Sequence, residues 1–153
     1  MFKQFELIYV VGDEHDLVGS RASHRDEDLY LYRIRATPDG ARRLLEVYLD
    51  RINDLADRPQ FYHLLSNNCT VNILRYGAAA GARHGGFDIR HLLNGRADRY
   101  LYDTEWVDTT LPFEELRRRS RITDAARAAA HTPDFPTRIR AALPPPSMPA
   151  PTR

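Results

Sequence analysis

In Phe5-Glu6-Leu7-Ile8-Tyr9-Val10-Val11, Phe5, Leu7, Tyr9 and Val11 alternate on one side, with Ile8 and Val10 on the other. That is the pattern of a strand buried on both faces. Gly12-Asp13 is a turn signal that stops it. Such a strand needs neighbours, and one comparable segment exists: Leu29 to Ile34, with Leu29, Leu31 and Arg33 facing one way and Tyr30, Tyr32 and Ile34 the other. The expected fold is therefore α+β, a small antiparallel sheet containing these two strands, packed on helices. Two strands alone make a marginal sheet.

The helices read more directly. Thr37 is a cap and Pro38 a first helical residue. Ala41, Leu44, Leu45, Tyr48, Leu49, Ile52 and Leu55 follow at helical spacing, and Arg58-Pro59 ends the run. Leu45 and Leu49, in the middle of the stripe, are expected to be fully buried. A second helix starts at Asn67-Asn68 and runs through Val71, Ile73, Leu74 and Tyr76 towards Gly77 or Gly81. Beyond the glycine-rich stretch 81–86, Phe87 to Leu93 and Arg99 to Tyr102 read as short helical pieces. Pro112 opens another helix with Phe113 and Leu116 facing inward, and Thr123 caps the alanine-rich stretch Ala125–Ala130. Five of the ten prolines fall in residues 144–153, read as a disordered tail after a domain spanning 1–143.

Composition bounds the function. The 153 residues suit one domain, with 42% hydrophobic and 28% charged residues in an ordinary globular balance. A formal net charge of +1 argues against an electrostatic nucleic-acid binder. The single cysteine excludes a disulfide framework and a cysteine-rich zinc site. No His/Cys/Asp/Glu spacing resembles a metal site and no phosphate-binding glycine loop follows a strand, so no cofactor is expected. No apolar run reaches the roughly 20 residues of a membrane helix. Met1-Phe2-Lys3 leads directly into Gln4-Phe5-Glu6 without an apolar leader.

The segment that stands out chemically is Phe61-Tyr62-His63-Leu64-Leu65-Ser66-Asn67-Asn68-Cys69-Thr70. If Asn67 or Asn68 is the cap, Cys69 lies in the first helical turn, where unpaired N–H groups and the positive dipole end favour a thiolate. The same N–H groups suit an oxyanion. Against this, a lone cysteine beside apolar residues is most often a small buried hydrophobe. A cysteine nucleophile also needs a base, usually an imidazole. His63 reaches Cys69 only if the Ser66-Asn67 turn folds back. His15, His24, His84, His91 and His131 each read as solvent-facing. The basic run Arg117-Arg118-Arg119-Ser120-Arg121 follows Glu114-Glu115 and reads as cations complementing a helix C-terminus rather than as a phosphate site.

Together, Phe5 to Asp16, Leu29-Tyr30-Leu31-Tyr32-Arg33, Phe61-Tyr62, Asn68-Cys69-Thr70, Asp98-Arg99-Tyr100 and Asp108-Thr109-Thr110-Leu111-Pro112 resemble the Lnb N-terminal periplasmic domain family. The family is bacterial and envelope-associated, and is similar to permuted papain-like (NlpC-type) cysteine hydrolases. The resemblance implies a partial fold of that type in the periplasm or cell envelope, with Cys69 as nucleophile and Asn68 as its neighbour in the site. It implies a thiol hydrolase-like domain acting on amide or ester bonds, with an envelope-derived substrate or a membrane-associated protein as partner. The alternative is a non-catalytic envelope-associated binding or scaffold domain. Family members carry an upstream histidine-bearing strand that this chain lacks, so the chain reads as truncated and, in isolation, inactive. His15 stands where the family leads one to expect arginine, so it is not carried over as a catalytic residue.

Overall fold

The extended segments near the start of the chain find their hydrogen-bond partners in turns rather than in each other. The computed structural model of the chain describes residues 5–25, 27–63, 67–81 and 97–146. Among these residues there is no sheet. Pairing is confined to isolated antiparallel bridges: Glu6 with Phe61, Tyr30 with Arg121, Ile34 with Val107, and His63 with Asn67. The expected α+β fold, a partial papain-like (NlpC-type) architecture with a small antiparallel sheet, is thus corrected to a mostly helical one.

The reason lies in how the alternation of residues 5–11 is used. Leu7 and Tyr9 are half-buried, whereas Phe5, Ile8, Val10 and Val11 are 72%, 73%, 68% and 82% exposed. Only one face of the segment packs, and its backbone is tied by Leu7 N–H to Gln60 O (2.7 Å) and Tyr62 N–H to Phe5 O (2.8 Å).

Contacts divide the chain into two units. The first comprises Met1–Val10, Ala36–Trp106 and Pro149–Arg153. Its long helix α2 (Pro38–Asp57) begins as the sequence requires, with Thr37 Oγ1 accepting from Gly40 N–H at 3.0 Å and Pro38 in the first turn. Helix α2 packs on α3 (Cys69–Ala79). The contact is aromatic: Tyr48 meets Tyr76 edge-on with centroids 5.0 Å apart, Tyr9 lies 6.5 Å from each, and the Tyr9 and Tyr76 hydroxyls are hydrogen-bonded. Burial and the Tyr76 contact raise the Tyr9 phenol pKa, and burial raises that of Tyr48.

Leu45 and Leu49 are not buried; they are 59% and 50% exposed. Among the described residues, α3 and Tyr9 cover one side of the apolar stripe, so Leu44, Tyr48, Ile52 and Leu55 are partly buried while Leu45 and Leu49 are exposed. Helix α3 runs through Gly77 and stops at Gly81, whose φ of +86° a side chain would resist. Helix α4 (Ala97–Asp103) ends in a turn with Glu105 at φ +57°, after which Trp106 lies against Gly77.

The second unit comprises Val11–Arg35 and Val107–Met148. Residues expected to connect two strands are instead helical: a π-helical turn, His15–Gly19, runs into α1 (Ser20–His24). Helices α5 (Phe113–Arg119), α6 (Thr123–Ala128) and α7 (Phe135–Arg138) follow. The core joins Ala22, Ile122, Ala126, Ala129, Phe135 and Ile139, with Val18, Leu29, Leu31 and Leu143 packed against it. Thr123 does not cap α6, because a tertiary donor claims it: its Oγ1 accepts from Leu29 N–H at 2.9 Å. Phe87 to Leu93 and residues 147–153 lie outside the described residues. No helix among the described residues is long and apolar enough to cross a membrane.

Candidate functional site

The helix-start residues stand where the sequence puts them. Asn68 is the N-cap of α3, with extended backbone (φ −114°, ψ 171°) and Oδ1 accepting from Val71 N–H at 2.8 Å. Cys69 is the first helical residue and is exposed, so it is not the small buried hydrophobe of the bland alternative. Val71, Asn72, Leu74 and Tyr76 face the core, which leaves Cys69 and Ile73, one turn apart, on the outer side.

The chain does fold back before this helix. His63 N–H donates to Asn67 O (3.1 Å) and Asn67 N–H to His63 O (2.9 Å). Asn67 then uses both ends of its side chain. Its Nδ2 donates to Phe61 O at 2.9 Å, and its Oδ1 accepts from Asn72 Nδ2 at 3.0 Å. Asn68 and Asn72 are only 7% and 6% exposed, so these bonds satisfy polar groups that water does not reach. Asn67 and Asn72 as bridging residues were missed in the sequence. The available signal was a polar residue, Asn72, between apolar Val71 and Leu74 on the inward arc, where it must find a partner.

His63, Asn67, Asn68 and Cys69 therefore belong to one local structure, in the first unit. His15, His24 and His131 belong to the second unit, and His84 and His91 lie outside the described residues. His15 packs edge-on against Phe135 (5.2 Å between ring centroids) and its Nε2 is hydrogen-bonded to the Ala130 carbonyl, a structural role.

The basic run is spent on internal pairs. Arg118 and Arg119 hold Glu115 at 2.7 and 2.6 Å, Arg121 bridges Asp28 and Asp124 at 2.9 and 2.6 Å, and Arg117 lies 4.3 Å from the centre of the Tyr30 ring. The two arginines pull the Glu115 carboxyl down to about 2, and Arg121 lowers Asp28. Among the described residues, no group of three or more His, Cys, Asp or Glu side chains could hold a metal ion.

No curated protein and no solved structure matches the chain. Residues 1–95, which include the whole Asn67–Ala79 region, match the sequence model of the Lnb N-terminal periplasmic domain. The chain belongs to the Lnb N-terminal periplasmic domain family.

Proposed function

We propose that this chain is a thiol hydrolase-like domain that acts on amide or ester bonds of bacterial envelope material, in the periplasm or at the cell envelope. The family domain, on this reading, extends beyond the matched stretch to residue 143. The observation that carries the proposal is the exposed Cys69 as first residue of a helix capped by Asn68. Helix N-termini favour thiolate over thiol, and their N–H groups stabilise an adjacent oxyanion.

In the proposed reaction the Cys69 thiolate attacks the carbonyl carbon, and the amine or alcohol leaves with the proton the thiol gave up. Water then cleaves the thioester, releasing the acid and restoring the thiol. The proton carrier is a histidine, and His63 is the candidate because two backbone bonds tie it to Asn67 beside the helix start. Asn68 acts by fixing the helix start rather than by touching the reacting atoms.

Turnover of p-nitrophenyl esters and of envelope-derived peptide amides tests the reading. Against the expectation, drawn from the family resemblance, of an inactive isolated chain, the placement of His63 predicts turnover that is lost in Cys69→Ala and reduced about 10²–10⁴-fold in His63→Ala. Saturable binding of the same fragments without turnover, unchanged in Cys69→Ala, would replace it with the scaffold reading.

A further inference from the structure

In the second unit, Leu29 to Ile34 is extended and pairs along one edge with the turn before α6: Leu31 N–H donates to Ser120 O (2.8 Å) and Ile122 N–H to Leu29 O (2.9 Å). Leu143-Pro144-Pro145 lies against the same segment. Leu143 packs on the core, and Arg33 Nε donates to the Pro144 carbonyl at 3.2 Å. Beneath these prolines, Leu31, Tyr32, Val107 and Leu116 line a cavity of only about 20 Å³, room for one water.

This arrangement fits the chemistry of proline. A proline-rich segment has no N–H to offer, holds an extended left-handed helix without internal hydrogen bonds, and so presents apolar rings and accepting carbonyls. A complementary surface needs apolar and aromatic walls plus a donor that reaches a carbonyl. Leu31, Tyr32 and Val107 supply the walls and Arg33 the donor. We propose that this groove is a binding site for extended proline-rich segments, and that Leu143–Pro145 is its resident occupant. Among the described contacts, the exposed Arg33 guanidinium holds the strap at the Pro144 carbonyl, and Leu143 anchors it on the core. Another proline-rich segment therefore enters only when the strap leaves. The inference is independent of Cys69 chemistry.

The test uses the full chain and a fluorescent peptide with the sequence of Ala141–Arg153. Pro144→Ser with Pro145→Ser weakens the strap. This opened chain should bind the peptide saturably and at least tenfold more tightly than the wild-type chain, whose groove is filled. Adding Arg33→Ala to the opened chain should weaken binding severalfold. Equal binding by the opened and wild-type chains, absence of saturable binding by a folded opened chain, or indifference to Arg33→Ala would each overturn the proposal. Should the double variant unfold, Arg33→Ala alone answers the question by NMR. The Leu143 amide shift should then move towards its value in the free peptide, and an unmoved shift would refute the strap.

Discussion

Gly77→Ala should destabilise the first unit even though alanine is the better helix former. In a solvent-facing helix interior the change would gain about 1 kcal/mol, from lower unfolded-state entropy and higher propensity. Here a Cβ at position 77 would stand 2.4 Å from Trp106 Cη2 and 3.1 Å from Cζ3. An indole cannot bend out of the way; the ring must retreat by about 1 Å to reach ordinary contact, in the range where overpacking costs roughly 1–3 kcal/mol. With so direct a clash the upper half of that range applies, leaving a net loss of about 1–2 kcal/mol. Urea melts followed by fluorescence read this unit directly, since Trp106 is the chain's single tryptophan. A double-mutant cycle with Trp106→Phe, followed by far-UV circular dichroism, isolates the contact. On the smaller ring Gly77→Ala should become neutral or stabilising, a coupling of at least about 1 kcal/mol. Gly77→Ala stabilising the wild-type chain, or adding independently of Trp106→Phe, would refute the packing argument.

Leu45→Ala and Leu49→Ala should each cost under about 0.5 kcal/mol, as at other exposed positions, while Leu74→Ala, at 6% exposure, should cost about 2–5 kcal/mol in the same denaturant melts. Asn68→Ala should lose about 0.5–2 kcal/mol of stability and slow alkylation of Cys69 by iodoacetamide, with Asn68→Asp restoring the cap; an unchanged rate on a folded Asn68→Ala chain would detach the cap from the thiol. Acid should destabilise the second unit. Glu14 (paired with Arg140), Asp28, Glu115 and Asp134 (paired with Arg138) all ionise more readily in the folded chain, so their contribution is complete above their unfolded values. For Glu115 it is lost as pH falls from its ordinary 4.5 through about 2. Urea midpoints measured from pH 6 to 2 should fall across that window, and less steeply for Glu115→Gln; a flat profile would show that these pairs carry no weight.

What the sequence disclosed and what it hid follow a physical division. Helix ends are local: Thr37, Pro38 and Asn68 act within three residues of themselves, so their roles were legible, and Cys69 landed at the first helical position. Alternation in Phe5–Val11 is also local, but a strand needs a backbone partner, which alternation cannot supply. Among the described residues, the bridge from Glu6 to Phe61 and the tyrosines of α2 and α3 took that place. His15–His24 was hidden because five residues of π-helix shift the 3.6-residue spacing on which helix reading relies. Thr123 looked like a cap and became the acceptor for Leu29, ninety-four residues away, which no window of sequence contains. In the site, the fold-back that ties His63 to Asn67 depends on Asn67 bridging Phe61 and Asn72, a pattern without a fixed spacing.

The chain passes between its two units after Val10, Arg35, Trp106 and Met148, so each unit is stitched from separate stretches of sequence. The boundary recognised by descent, at residue 95, coincides with none of these crossings. Excising residues 1–95 would strip Trp106 from Gly77 and take Ile122, Ala126, Phe135 and Ile139 away from Ala22. Such a fragment would carry the inherited motif and neither finished core. Domain swaps or truncations within the family are therefore better cut to preserve both threads than to follow the edge of sequence similarity.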